Sequence, residues 1–377
     1  MIIKNMNKTD NQPVVMTLDA GGTNFVFSAV KGGNEIVKPV GLPSHAANLD
    51  LCLKNIIKGF EDIEKQLTDK PIAISFAFPG PADYVNGIIG DLGNLPGFRG
   101  GVALGPMLED HFMLPVFINN DGDLFAYGEA MHGMLPALNK KLLDAGSGKQ
   151  FHNLIGITLG TGFGGGLVRN NELIIGDNGA AGEVWLLRNP FNEKTFAEEN
   201  ISARAITNEY YLLTQTPKNG MAPLDVFQIA KGQKVGNRDA AIESFNKFGR
   251  ALGIALAEIV TIMDAPVVLG GGLANAWELF FPEMLKEMNG SLVNGSGGFI
   301  PRLVMQTFNL EDQDSFKQFA TGGMTRIKVP YSEKEINYDP IKRTGVAISH
   351  IGASKAISLG AYAFAVNSIG DKMAIAQ

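Results

Sequence analysis

The hydrophobic pattern of this chain changes period from one segment to the next. VVMTLDAGGTNFVFSAV (14–30) is an apolar run, a Gly-Gly turn and an alternating run, which predicts a β-hairpin. LDLCLKNIIKGFEDIEKQL (49–67) spaces its apolar residues helically, and PIAISFAFPGP (71–81) predicts a buried strand stopped by proline and glycine. PVFINNDGDLFAYGEAMHG (115–133) reads as an apolar strand leading into an amphipathic helix. GLVRNNELIIG (166–176), with Asn-Asn between two apolar segments, predicts another hairpin. Residues 238–264 predict a long helix, 265–288 a strand, a triple glycine and a helix, and 352–366 a closing helix rich in small residues. Residues 289–345 are polar and irregular. They read as an insertion, suited to a dimer contact or a lid.

Two of these segments repeat weakly. MTLDAGGTNFVF (16–27) and IGITLGTGFGGG (155–166) both run apolar strand, polar residue, glycine-rich turn and further strand, with Leu18 on Ile157, Asp19 on Thr158 and Gly21 on Gly160. Strand–turn–strand openings followed by helices predict an α/β architecture with mixed sheets, here in duplicated lobes across a cleft.

Composition narrows the field. A chain of 377 residues suits two domains, and 45% hydrophobic with 19% charged residues is ordinary for a globular protein. A net charge of −6 argues against a dedicated nucleic-acid surface. Cys52 is the only cysteine, which excludes an intramolecular disulfide and a thiolate zinc site. No run approaches a membrane span and the N-terminus lacks the apolar core of a signal peptide, so the expected location is cytoplasmic.

Several short stretches carry candidate chemistry, each beside a plainer reading. In DAGGTN (19–24), Gly21 and Gly22 let backbone amides face phosphate oxygens, Thr23 adds a hydroxyl, and Asp19 can hold Mg²⁺ through water. The plainer reading is an ordinary hairpin turn. GTGFGGG (160–166) contains G-x-G-x-x-G, but a dinucleotide fingerprint must open a helix, and a hairpin follows here. A phosphate-holding turn at Thr161 and its neighbours fits better. Asn119, Asn120 and Asp121 stand where strand meets helix; Asp121 is either an N-cap or a base taking a proton from a substrate hydroxyl that Asn120 orients. Asn94 sits in a Gly/Pro-rich loop, where a turn role is the ordinary fate. VVLGGGLAN (267–275) brings glycine backbone against a flat base, or packs strand on helix, and Glu183 and Glu198 are loop glutamates.

Taken together, LDAGGTN, FPGP, GNLPGF, NNDGD…GE, ITLGTGFGGG, GAAGE, LGGG and ISLGA resemble, in order, the ROK family (repressors, open reading frames and sugar kinases) of the actin-like ATPase superfamily. The resemblance implies a two-lobed actin-like ATPase (ribonuclease H-like) α/β fold with mixed sheets and an interlobe cleft. It places an N-terminal lobe at 1–121, with a helix at about 352–368 packing back on it, and a C-terminal lobe at 122–351. It implies an ATP- and Mg²⁺-dependent sugar kinase acting on a hexose or N-acetylhexosamine, usually at the 6-hydroxyl, with Asp121 as base. Asn94, Asn120, Glu183 and Glu198 then match sugar contacts and Gly80 a backbone contact. Gly21, Gly22 and Thr23 match the first phosphate turn with Asp19 near the metal, Thr161 and Gly162 the second, and Gly271 with Gly272 the adenosine motif. A homo-oligomer, with a dimer favoured, is the family expectation, without nucleic-acid or membrane partners.

The chain departs from the family pattern in one loop. Many members carry G-E-x-x-H and then a cysteine-rich zinc loop. Here Leu186 stands at the histidine position and NPFNEKTFAEE replaces the cysteines, so no zinc is expected. Packing through Trp185, Leu186, Phe191 and Phe196 is expected to hold the loop instead. Assigning Glu198 rather than Glu199 rests on aligning AEENIS ahead of Ser202. An inactive sugar- or nucleotide-binding protein is the alternative; a sugar-responsive regulator lacks room for a helix-turn-helix before Val14.

Overall fold

A computed structural model describes residues 12–375. The chain divides into two compact units: residues 12–133 with Leu173–Ala181 and 353–375, and residues 134–172 with 182–352.

The first unit opens with β1 (Val14–Ala20) and β2 (Asn24–Lys31), paired antiparallel in the register Val14 with Lys31 to Ala20 with Phe25. The short strands β3 (Asn34–Glu35) and β4 (Val40–Pro43) both pair with β2. Helix α1 (Leu49–Glu64) starts where the Asn48 side chain accepts the Leu51 amide at 3.1 Å. It buries Cys52, Ile56, Gly59, Phe60 and Ile63, one stripe at helical spacing. At Gly59 the absent side chain leaves room for the Phe27 ring. Then β5 (Pro71–Ala77) joins β1 in parallel. A small sheet of β6 (Ala82–Asp83), β7 (Ile88–Ile89) and β8 (Val102–Ala103) carries the Asn94 loop, and α2 (Leu104–Phe112) leads to β9 (Val116–Asn119), parallel to β5. The main sheet runs β3-β2-β1-β5-β9. Helix α3 (Asp121–Met131) follows directly.

The second unit repeats this plan. After α4 (Met134–Asp144), β10 (Leu154–Leu159) and β11 (Phe163–Arg169) form an antiparallel hairpin. The chain turns through Asn170 and Asn171, both at positive φ (51° and 64°), into β12 (Glu172–Leu173). Two adjacent left-handed residues are what a two-residue hairpin turn requires, and asparagine tolerates them. Helices α5 (Ala203–Thr214), α6 (Pro223–Ala230) and α7 (Arg238–Met263) cross over to β13 (Val267–Gly270), parallel to β10, and α8 (Trp277–Met288) follows. The two hairpins each begin a sheet in which a later strand, β5 or β13, joins the first in parallel, so the weak sequence repeat is a structural one.

Residues 289–345 differ from the expected irregular insertion. They form the hairpin β14 (Ser291–Val293) and β15 (Phe299–Pro301), then β16 (Gln306–Asn309), α9 (Gln313–Thr321), the hairpin β17 (Thr325–Lys328) and β18 (Glu335–Tyr338), and the start of β19 (Arg343–Ile348). β16 and β19 belong to the main sheet, in the order β12-β11-β10-β13-β19-β16. Only the two hairpins stand outside it. Helix α10 (Ala353–Ile375) then joins the first unit and packs along α3. That contact explains why the first unit extends to residue 133 rather than 121: α3 belongs with α10. It also makes α3 buried from Gly122 to Ala130, not amphipathic. Gly128 and Gly360 permit the approach, since a Cβ on Gly128 would overlap the Ala356 carbonyl and one on Gly360 the Leu124 carbonyl.

Candidate active site

In the first unit, the sheet delivers the loops that carry the candidate residues. Asp19, near the end of β1, is exposed, and the Gly21 amide donates to the Asn24 carbonyl at 3.1 Å to close the turn. A Cβ on Gly21 would stand 2.8 Å from that carbonyl oxygen, so the turn needs glycine. Ser44, which the sequence did not single out, pins the turn: its Oγ donates to the Gly22 carbonyl at 2.6 Å and its amide to the Thr23 carbonyl at 2.9 Å. Gly22 also neighbours Asn94, whose exposed loop is anchored by the buried Leu92 and Leu95. Gly80 is exposed after β5.

At the start of α3 the N-cap is Asn120 and not Asp121. The Asn120 Oδ1 accepts the Gly122 amide at 2.7 Å, which leaves its Nδ2 as the donor end, without a partner among the described residues. Asp121 is the first helical residue, and its Oδ1 accepts the same amide at 2.9 Å. Asp121 is open to solvent, yet protein atoms crowd it from most directions. That burial, the larger influence, pushes its carboxyl above the ordinary aspartate range, against the Gly122 amide that pulls it down.

In the second unit, Thr161 stands exposed at the tip between β10 and β11. The Glu198 Oε2 accepts the Phe163 amide at 3.0 Å and lies so near Gly162 that a Cβ there would stand 2.5 Å from it. Glu198 Oε1 and Glu199 Oε1 accept from Arg204 Nη2 at 3.0 and 2.9 Å. Of the two glutamates, Glu198 is the one tied to the glycine turn. Arg204 was not singled out in the sequence; a cation six residues after a glutamate is too common a pattern to stand out.

The loop that replaces the zinc motif is held partly as expected. Trp185 packs edge-on against Phe196, with ring centroids 5.4 Å apart, and donates its indole N–H to Glu183. Leu186 is 57% exposed and Phe191 44%, so neither is an anchor of the kind expected. The missed anchor is buried Asn189. Its Oδ1 accepts the amides of Phe191 and Asn192, and its Nδ2 donates to the Phe196 carbonyl at 3.3 Å.

Gly271 follows β13 at φ 85°, and a Cβ there would overlap the Leu159 backbone. Gly272 starts a short 3-10 turn and lines a cavity of about 390 Å³ with Gly160, Thr161, Leu224, Phe227 and Asn275. The walls are mostly apolar, which suits a flat aromatic ring. Leu224 and Phe227 escaped sequence reading because they are three apart on one amphipathic helix, where core packing explains them equally well. Among the described residues no group of three or more His, Cys, Asp or Glu stands close enough to hold a metal ion, and no helix is long and apolar enough to cross a membrane.

Comparison with known proteins gives a consistent picture. The ROK family model matches residues 15–307. N-acetyl-D-glucosamine kinase of Aliivibrio fischeri is 28% identical over 76% of this chain and 92% of its own length. The crystal structure of glucokinase from Parabacteroides distasonis is 50% identical, with a TM-score of 0.87 over 96% of this chain and 99% of that one. A ROK family glucokinase from Streptomyces griseus, solved with glucose and AMPPNP, is 18% identical at a TM-score of 0.57 over 92% and 98%, a likeness of fold alone. The fold is the actin-like ATPase fold of these neighbours. The chain therefore belongs to the ROK family, and it is a carbohydrate kinase.

Proposed function

We propose that this carbohydrate kinase transfers the γ-phosphate of ATP to a hydroxyl, the 6-hydroxyl, of a hexose or N-acetylhexosamine, with Asp121 as general base. The observation that carries this reading is the Asp121 carboxylate at the start of α3: solvent-reachable, raised in pKa by burial, and sharing only the Gly122 amide with the N-cap Asn120. A base must be ionised to take a proton yet basic enough to want it, and a raised carboxylate meets both needs. Asn120 Nδ2, Asn94, Glu183, Glu198 and the Gly80 backbone bind and orient the sugar hydroxyls. The amides of Gly21, Gly22 and Gly162, with the hydroxyls of Thr23 and Thr161, bind the phosphates. The apolar walls beside Gly271 and Gly272 take the adenine. Phosphoryl transfer asks the protein mainly for in-line positioning and charge neutralisation.

Mg²⁺ commonly takes one or two carboxylates, phosphate oxygens and waters rather than an all-protein cage. Exposed Asp19, beside the first glycine turn, fits such a role as a single carboxylate reached through water. Mg²⁺ supplies neutralisation of phosphate charge.

A coupled ADP-release assay across hexoses and N-acetylhexosamines tests the reading. Turnover with at least one sugar is expected, falling about 10²- to 10⁴-fold in Asp121→Asn. Nucleotide binding without turnover on any sugar would instead favour a binding protein that has lost catalysis, a reading motivated by exposed Leu186 at the family's histidine position.

A further inference from the structure

The second unit holds a cavity of about 430 Å³ away from the glycine turns, with Ser147, Lys149, Thr321, Asp339, Lys342 and Arg343 in its lining. Three of these side chains are cationic and one is acidic, in a chain whose net charge is −6. The concentration of positive charge is therefore local.

Arg343 is the centre of the arrangement. It is 4% exposed at the start of β19, with Nε donating to the Phe319 carbonyl and Nη1 to the Asp339 carboxylate and, at 3.0 Å, to the Ile341 carbonyl. Its Nη2 has no hydrogen-bond partner among the described residues. The atom is not sealed from solvent, so it remains available to an acceptor that enters the cavity Arg343 lines. The backbone is shaped to the same end: Gly322 sits at φ 60°, and a Cβ there would overlap the Arg343 guanidinium. Beside it, Phe319 and Phe151 stack at 5.7 Å and 10°, with the Arg343 guanidinium 6.0 Å from one ring and Lys149 Nζ 5.4 Å from the other. Each cation thus lies over one ring of the stack. Lys342 is exposed at the rim, and the Ser147 hydroxyl is fixed by accepting the Lys149 amide at 3.3 Å. A buried arginine serving only to tie the β17–β18 hairpin to the core would need Asp339 and the carbonyls, but neither lysine.

We propose that this cavity binds a small phosphate monoester, with its phosphate on Arg343 Nη2, Lys149 and Lys342. Arginine and lysine donors in a partly desolvated pocket match a dianion, and the volume leaves room for an organic group beyond it.

Calorimetric titration tests this with inorganic phosphate and with glucose 6-phosphate, in the presence of saturating AMPPNP and Mg²⁺ to fill the nucleotide turns. One equivalent of either probe is expected to bind the wild type. A Lys149→Ala, Lys342→Ala double variant should bind at least tenfold more weakly, with unchanged AMPPNP affinity and melting temperature. Tighter binding of the ester than of inorganic phosphate would assign the rest of the cavity to the organic group; equal binding would assign the site to the phosphate alone. No binding by the wild type, or the same affinity in the double variant, overturns the proposal. Neither result bears on turnover at Asp121, so the two readings fail separately.

Discussion

At the residue scale, the raised carboxyl of Asp121 has consequences for both rate and stability. The group acts ionised, so kcat/KM should fall on the acid side through a pKa above the ordinary aspartate range, and a pH–rate profile reads this directly. The sign for stability is opposite. A carboxyl raised in the folded state binds its proton more readily folded than unfolded, so its contribution is present below the unfolded pKa and lost as pH rises through the folded one. Asp121→Asn should therefore melt no lower than wild type at neutral pH while losing turnover; a clear drop in melting temperature would assign Asp121 a structural role. Arg204 offers a second prediction. Its ion pairs with Glu198 and Glu199 are partly exposed, with 43% of the arginine side chain accessible, so they contribute at most about 1 kcal/mol. Arg204→Ala should raise the sugar KM up to about fivefold with a smaller change in kcat, and Arg204→Lys should restore part of the loss. Motif order singles out Asp121, Asn120 and Glu198 in the sequence as candidates. Ser44, Asn189 and Arg204 were not legible there, because each acts by holding a neighbour rather than by belonging to a pattern.

At the element scale, the two hairpins, α1 and α7 follow from hydrophobic period and turn chemistry, since each carries its own signal locally. Helix α3 does not. Its pattern reads as amphipathic until α10, from the far end of the chain, covers its remaining side. β16 and β19 were hidden for a related reason: each is short and polar at its start, and joins the core only through pairing, β19 with β13 and β16 with β19. The α3–α10 contact predicts that Gly360→Ala, although favourable for an isolated helix, destabilises the protein by about 1–3 kcal/mol in urea unfolding. The same change should lower kcat, because α3 carries Asp121 at its first turn. Unchanged stability would mean the helices separate freely.

At the scale of the whole molecule, the candidate nucleotide groups Thr161, Gly162, Gly271 and Gly272 lie in the second unit, and the first phosphate turn of Gly21, Gly22 and Thr23 lies in the first with Asp19, Asn94, Asn120 and Asp121. Hydrogen exchange should accordingly show AMPPNP protecting residues 21–23, 160–163 and 271–276, with added sugar extending protection to 94 and 119–122; protection confined to the first unit would contradict the assignment. The duplication was legible from one pair of glycine turns, but the division of the chain was not, because the boundary depends on which helices pair. The contribution of α10 to the first unit also governs how the chain emerges during synthesis. Helix α3 is finished about 240 residues before its covering helix is complete. At roughly 5–20 residues per second, the ribosome leaves its apolar flank uncovered for roughly 12–50 seconds. The second unit, complete by residue 352, can fold during that interval, while the first must wait for the last stretch of the message. A stop codon just before Ala353 would thus release a chain with one finished unit and one that keeps presenting α3 to chaperones.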